Sequence, residues 1–198
     1  MSIYTPEYFS GDKDAAAQLI KDYPFATLVT GMDGQEPQIS YLPLLLEENA
    51  LWGHLAKANP HWRRFAQGRT YALFHGPHAY VSPDWYERPA DNVPTWNYAV
   101  VHVQGPPEIL NEAGARQVLK RLVARFDPNS AHPSPEKLER LLAGIVAFRL
   151  PLMRAETKFK MNQNKTEADR AGVIAGLRAT GRADEKAVAD WMEQHGSR

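Results

Sequence analysis

The sequence predicts a mainly β protein, an antiparallel barrel with peripheral helices and a C-terminal helical pair. Three observations carry that expectation. Short runs rich in β-formers recur between Phe25 and Leu110, each bounded by turn residues, and that order favours an antiparallel barrel over a parallel sheet. From Glu112 onward the composition shifts to amphipathic helical patterns. At 198 residues, 43% hydrophobic and 23% charged, the chain can bury a sizeable core without staples. The expected organisation is a barrel domain over residues 1–163 with inserted helices, then a helical extension over 164–198 packed on the barrel or on a dimer.

Taken in order, a short extended piece leads to Gly11-Asp12 and a helix with Ala15, Ala16, Leu19 and Ile20 on one side. Pro24 stops it. Phe25–Thr30 reads as a strand, Asp33-Gly34 as a two-residue hairpin turn and Gln38–Leu46 as the returning strand. Glu48-Asn49 makes the next turn and Leu51–Leu55 a third strand. Asn59-Pro60 has the form of an N-cap followed by proline, opening a short helix over HWRRFAQ that Gly68 ends. Thr70–Phe74 and His78–Val81 read as one strand interrupted at His75-Gly76-Pro77, a bulge or a place of close backbone approach. A proline-rich loop over 82–94 precedes a strand at Thr95–Val103 and a short one at Glu108–Leu110. Helices are expected at Glu112–Phe126 and Pro135–Leu142, on either side of a loop DPNSAHPSP. A last strand starts at Gly144 and is extended through Lys158–Met161. Two tail helices follow, with Thr166 and Asp184 as caps.

Composition excludes several kinds of chemistry. There are no cysteines, so disulfides, thiolate nucleophiles and cysteine metal sites are absent, in keeping with a reducing cytoplasm. The N-terminus lacks a signal-peptide pattern and no apolar run approaches a membrane span. A cytoplasmic protein with no membrane partner is the expectation. Acids and bases balance at 23 each, so no basic excess announces nucleic acid. Ser40, Ser82 and Ser130 lack a GxSxG setting, and no GxGxxG or GxxxxGK[ST] loop occurs. His75-x-x-His78 encloses Gly-Pro rather than an acid, and no metal is expected. Catalytic residues are not identifiable.

Leu51–Val103 concentrates four of five tryptophans, five of seven histidines, and Lys57, Arg63, Arg64 and Arg69. Such a mixture suits a pocket for a flat anionic ligand. It equally suits a Trp-rich core with solvated edges.

The runs GHLAKANPHW, FHGPHAYVSPDWY and NVPTWNYAVVHVQG, joined later by KFKMNQNKTEADRAGVIAGL, resemble the PaiB family of FMN-binding transcriptional repressors. The resemblance extends from Tyr4 to about Leu177. It implies a split β-barrel related to pyridoxamine-phosphate oxidases, usually a homodimer with flavin at the subunit interface. Carried onto this chain, it puts His54, Lys57, Arg63 and Arg64 around the FMN phosphate. It puts Trp96, Asn97 and Gln163 around the flavin ring, although strand alternation points Trp96 and Asn97 to opposite faces. The family commonly has serine where Met161 or Asn162 stands.

The function implied is an FMN-binding transcriptional regulator. The first alternative is a flavin-dependent oxidoreductase acting on a small molecule, since a bound cofactor needs no protein nucleophile. The second is a haem-binding split barrel, which five clustered histidines leave open. DNA stays open as a partner. The tail imitates a helix-turn-helix, but its last helix carries four acids against one lysine, so Arg170, Arg178 and Arg182 are the better DNA candidates.

Overall fold

The computed structural model describes residues 3–31, 34–129 and 133–195. In chain order its strands are β1 (Phe25–Gly31), β2 (Gln38–Pro43), β3 (Leu45–Glu47), β4 (Ala50–Ala56), β5 (Arg69–Val81), β6 (Thr95–Gly105), β7 (Glu108–Ile109), β8 (Ile145–Pro151) and β9 (Arg154–Lys160). The α-helices are α1 (Lys13–Asp22), α2 (Glu112–Phe126), α3 (Pro135–Ala143), α4 (Glu167–Ala179) and α5 (Ala183–His195). Two compact units share these elements: residues 1–22, 75–101 and 156–198 form the first, 23–74 and 102–155 the second.

In the second unit β1 pairs antiparallel with β2 and with the start of β5, Leu28 facing Ser40 on one side and Ala72 on the other. A second sheet has the order β3-β4-β8-β7. The β3–β4 hairpin turns at Glu48 and Asn49, whose φ of 51° and 58° supply the left-handed pair that such a tight turn requires. Gly53 faces Phe148 across β4 and β8. Helix α2 starts on Asn111, whose side chain accepts from Gly114 N at 3.0 Å. Its apolar stripe of Ala115, Val118 and Leu122 packs with Leu45, Trp52, Leu142 and Ala147. Arg121 fastens the helix to the hairpin, stacked 4.6 Å over Trp52 and bonded to Glu47 at 2.6 Å.

In the first unit the strand order is β5-β6-β9. Leu19 and Ile20 of α1 are fully buried, as are Val173, Leu177, Val188 and Met192 of α4 and α5. Trp85 is seated on Gly172 and Gly176 of α4, where a Cβ would strike its carbonyl oxygen or its ring. Thr166 caps α4, accepting from Asp169 N at 3.1 Å.

Four details of the sequence reading change. β5 runs unbroken through His75-Gly76-Pro77; the close approach is real, because a Cβ on Gly76 would meet Leu19 and the Ala99 carbonyl. The HWRRFAQ helix is a 3-10 turn over Pro60–Arg64, capped by Asn59 as expected. The last strand is two strands in different sheets, broken where Met153 N bonds Gln104 O and Pro151 O. α5 begins at Ala183, so Asp184 lies in its first turn instead of capping it. Asp33 of the expected hairpin turn and Ser130–His132 of the loop lie outside the described residues. Among the described residues no helix is long and apolar enough to cross a membrane.

Candidate functional site

The second unit holds the cationic candidates. His54 lies on β4 and, by alternation, shares a face with Trp52. It is half-buried, its Nδ1 is buried without a partner, and burial pushes its pKa down. Burial therefore favours the neutral imidazole over the charged one. Lys57 follows the end of β4. Its backbone N–H reaches Gly144 O at 2.8 Å and its carbonyl accepts from Trp62 Nε1 at 3.1 Å. The exposed Lys57 lines a cavity of about 330 Å³ with Ile109, Leu110, Leu142 and Ile145. Arg63 stacks 5.2 Å over Trp62, the indole that bonds the Lys57 carbonyl. Arg64 is committed elsewhere, donating to Gln35 Oε1 at 2.6 Å.

Behind this surface lies a buried polar chain that the sequence did not announce. His61 is fully buried; its Nδ1 meets Ser40 Oγ at 2.8 Å and its Nε2 meets Thr30 Oγ1 at 2.9 Å. Thr30 continues to Thr70 at 2.8 Å, and Asn59 Nδ2 donates to Ser40 Oγ at 2.9 Å. With both ring nitrogens bonded, His61 has no lone pair to offer a haem iron. Burial pushes its pKa down to about 4.

The ring candidates belong to the first unit. Alternation on β6 leaves Trp96 54% exposed and Asn97 fully buried. Trp96 stacks with His78 at 6.3 Å and meets the edge of Tyr80 at 6.4 Å. Together with His75, Tyr98 and Val100 it borders an open cavity of about 310 Å³. Asn97 directs Nδ2 at Met192 Sδ, 3.3 Å away, and its Oδ1 is buried without a partner. Gln163 folds back on its own loop, bonded to Met161 N at 2.7 Å and to Phe159 O. The Trp62 indole thus links Arg63 to the Lys57 backbone, and Trp96 lies on an aromatic face. Asn97 and Gln163 hold internal bonds.

A second group escaped the sequence reading. Lys160, Lys165, Asn92, Thr95, Tyr86 and Asn162 surround a cavity of about 340 Å³; the lysines and amides of KFKMNQNK were its only signal. The arginines singled out for DNA have internal partners. Arg170 donates to the Met161 and Met192 carbonyls, each at 3.1 Å, Arg178 pairs with Asp190 and Glu193, and Arg182 pairs with Glu185.

The fold has solved counterparts. The FAD and heme binding protein of Mycobacterium smegmatis superposes with a TM-score of 0.63 at 17% identity, covering 82% of this chain and 79% of its own. The flavocytochrome of Azotobacter vinelandii gives 0.62 at 15% identity, covering 83% and 75%. At these identities the likeness defines a fold class: mainly β, of split-barrel type, with peripheral helices. Sequence is more specific. A family model described as "Putative FMN-binding domain" matches residues 3–154. The Bacillus subtilis protein named protease synthase and sporulation protein PAI 2 is 32% identical over 96% of this chain and 97% of its own length. An uncharacterized protein of Emericella nidulans is 28% identical over 90% and 91%. The chain belongs to the PaiB-type FMN-binding family, and FMN is the cofactor of that family.

Proposed function

We propose that the chain is an FMN-binding transcriptional regulator of the repressor type, working as a homodimer with the flavin at the interface between copies. One observation carries the reading: the outward face of β5 and β6 presents exposed Trp96 and Tyr80 beside His78. A flat aromatic surface around an open cavity fits a flavin ring that a second copy then covers. The regulatory part of the reading rests on the whole-length likeness to the Bacillus protein named for protease synthase and sporulation.

On the second unit, Lys57, Arg63 and the unpartnered Nδ1 of His54 are the donors on offer to a phosphate dianion. A neutral imidazole there donates one N–H without competing for protons. Arg64 serves the phosphate only if it leaves Gln35. On the first unit, Trp96 supplies the stacking face. The unpartnered Oδ1 of Asn97 is an acceptor for the ring's imide N–H if the amide turns from Met192. Gln163 orders the loop that follows β9. When bound, FMN supplies an electron-carrying ring; the protein's part is to hold and shield it.

The test is direct. The purified protein should carry a flavin absorbing at about 375 and 450 nm, released with the mass of FMN. Lys57→Ala should weaken FMN about tenfold while leaving riboflavin affinity unchanged. Salt-sensitive retardation of a specific DNA fragment completes the reading. A Soret band near about 400 nm would overturn it in favour of haem, and steady NAD(P)H turnover without DNA binding would overturn it in favour of an oxidoreductase.

A further inference from the structure

We propose that the cavity bounded by Lys160, Lys165, Asn92, Thr95 and Asn162 in the first unit is an anion site for a phosphate monoester. Every residue of its lining belongs to the first unit, so the site does not draw on the cations of the second.

The cavity measures about 340 Å³, and Tyr8, Phe9, Tyr86 and Val93 give it an apolar side that would hold the organic body of an ester. The polar side is cationic. Lys160 Nζ donates to Thr95 Oγ1 at 2.5 Å and to the Trp96 carbonyl at 2.7 Å. Lys165 Nζ donates to Asn92 Oδ1 at 2.6 Å and lies 5.0 Å over the Tyr86 ring. All these partners are neutral, and among the described residues no carboxylate pairs with either ammonium group. An ammonium has three N–H donors, so Lys160 keeps one and Lys165 keeps two. Asn162 is held at φ 61°, in the left-handed region, with its amide on the Tyr86 hydroxyl at 2.8 Å. A backbone in that region costs about 1 kcal/mol or more and is kept where surrounding structure demands it.

The acids nearby do not neutralise the pair. Asp91 lines the cavity but is exposed and makes no ion pair with either lysine. Asp169, in the first turn of α4, accepts from Glu87 N at 3.0 Å, and Glu167 is exposed. Burial, then repulsion from Lys158 and Lys165, lowers the Lys160 pKa. A phosphate dianion would accept the unused N–H bonds and relieve that repulsion together.

A phosphorylated metabolite or the phosphate of FMN would satisfy the same chemistry. Inorganic phosphate is therefore titrated into flavin-free and FMN-loaded full-length protein at constant ionic strength, against chloride, with Tm as the readout. FMN and riboflavin affinities are measured in parallel. Phosphate should raise Tm saturably where chloride does not, and Lys165→Gln or Lys160→Gln should weaken this about fivefold or more. A response in both forms identifies a separate phosphate ester. A response confined to flavin-free protein, with Lys165→Gln weakening FMN but not riboflavin, identifies the flavin's own phosphate. Both support the site. Absence of a phosphate-specific shift in either form, with the FMN to riboflavin ratio unchanged in both variants, overturns it. Asp91→Asn keeps the test valid should the lysine variants misfold. Removing this rim carboxylate should tighten phosphate about twofold, and unchanged phosphate affinity would count the site out.

Discussion

His61 is a histidine without freedom to titrate cheaply. Its ring is fully buried between Ser40 and Thr30, and its folded pKa is about 4 against an unperturbed 6.5. The unfolded chain therefore binds a proton that the folded chain refuses between those two values. Stability should be fully present above pH 6.5 and be lost progressively as pH falls towards 4, by at most about 3 kcal/mol. His61→Asn should flatten that slope in urea denaturation measured at pH 7, 6 and 5. It should also cost about 2 kcal/mol at pH 7, because Ser40 and Thr30 lose a buried partner. An unchanged slope would mean that other groups set the acid limit. Nothing in HWRRF distinguishes His61 from the exposed histidines at 75 and 78. Local pattern gave the Asn59 cap, but the partners of His61 come from residues 21 and 31 positions away. The same limit applies to Asn97 and Gln163. Strand parity and motif identify the amides, whereas the Met192 sulfur and the Phe159 carbonyl that occupy them are tertiary facts.

Helices and strands were more legible than side-chain roles, because their signals are local. The Glu112–Phe126 range of α2 coincides with its apolar stripe between Asn111 and Asp127. The break between β8 and β9 was hidden, since what ends β8 is a bond from Met153 to Gln104 far upstream. α4 shows how an element can be constrained from outside itself. Gly172 and Gly176 lie four residues apart on one face, and Trp85 fills the space above them. Gly172→Ala should destabilise the protein by about 1 to 3 kcal/mol despite the better helix propensity of alanine, because its methyl meets a backbone carbonyl. Gly181, at φ 72° with open space around it, gives the contrasting case. There alanine is penalised by backbone conformation alone, about 1 kcal/mol. Chemical denaturation of the two variants separates crowding from conformation: Gly172→Ala should be the costlier and should shift Trp emission through Trp85. The Arg178 pairs with Asp190 and Glu193 also join α4 to α5, but with both partners exposed to solvent they add little to stability.

At the scale of the whole molecule, the proposed dimer ties flavin occupancy to assembly. If FMN lies beneath a second copy on the Trp96 face, flavin and partner bind the same surface, and each must tighten the other by an equal factor. The dimer dissociation constant should fall on FMN loading, and FMN affinity should rise with protein concentration. A flavin present at a hundred times its dissociation constant adds about 2.7 kcal/mol to the state that binds it, enough to convert a weak dimer into the dominant species. Trp96→Ala removes the exposed indole without touching the buried face of β6, so it should weaken FMN and dimer together while leaving the flavin-free monomer's Tm within about 2 °C. Sedimentation velocity on loaded and flavin-free protein, over a hundredfold range of concentration, reads the coupling directly. Equal dimer constants in the two forms would separate the flavin from the interface and leave the aromatic face to some other partner. The balanced charge could not foretell this behaviour, because nothing in composition says which aromatic residues face outward. The alternation of β6 does, turning Trp96 outward and Asn97 into the core.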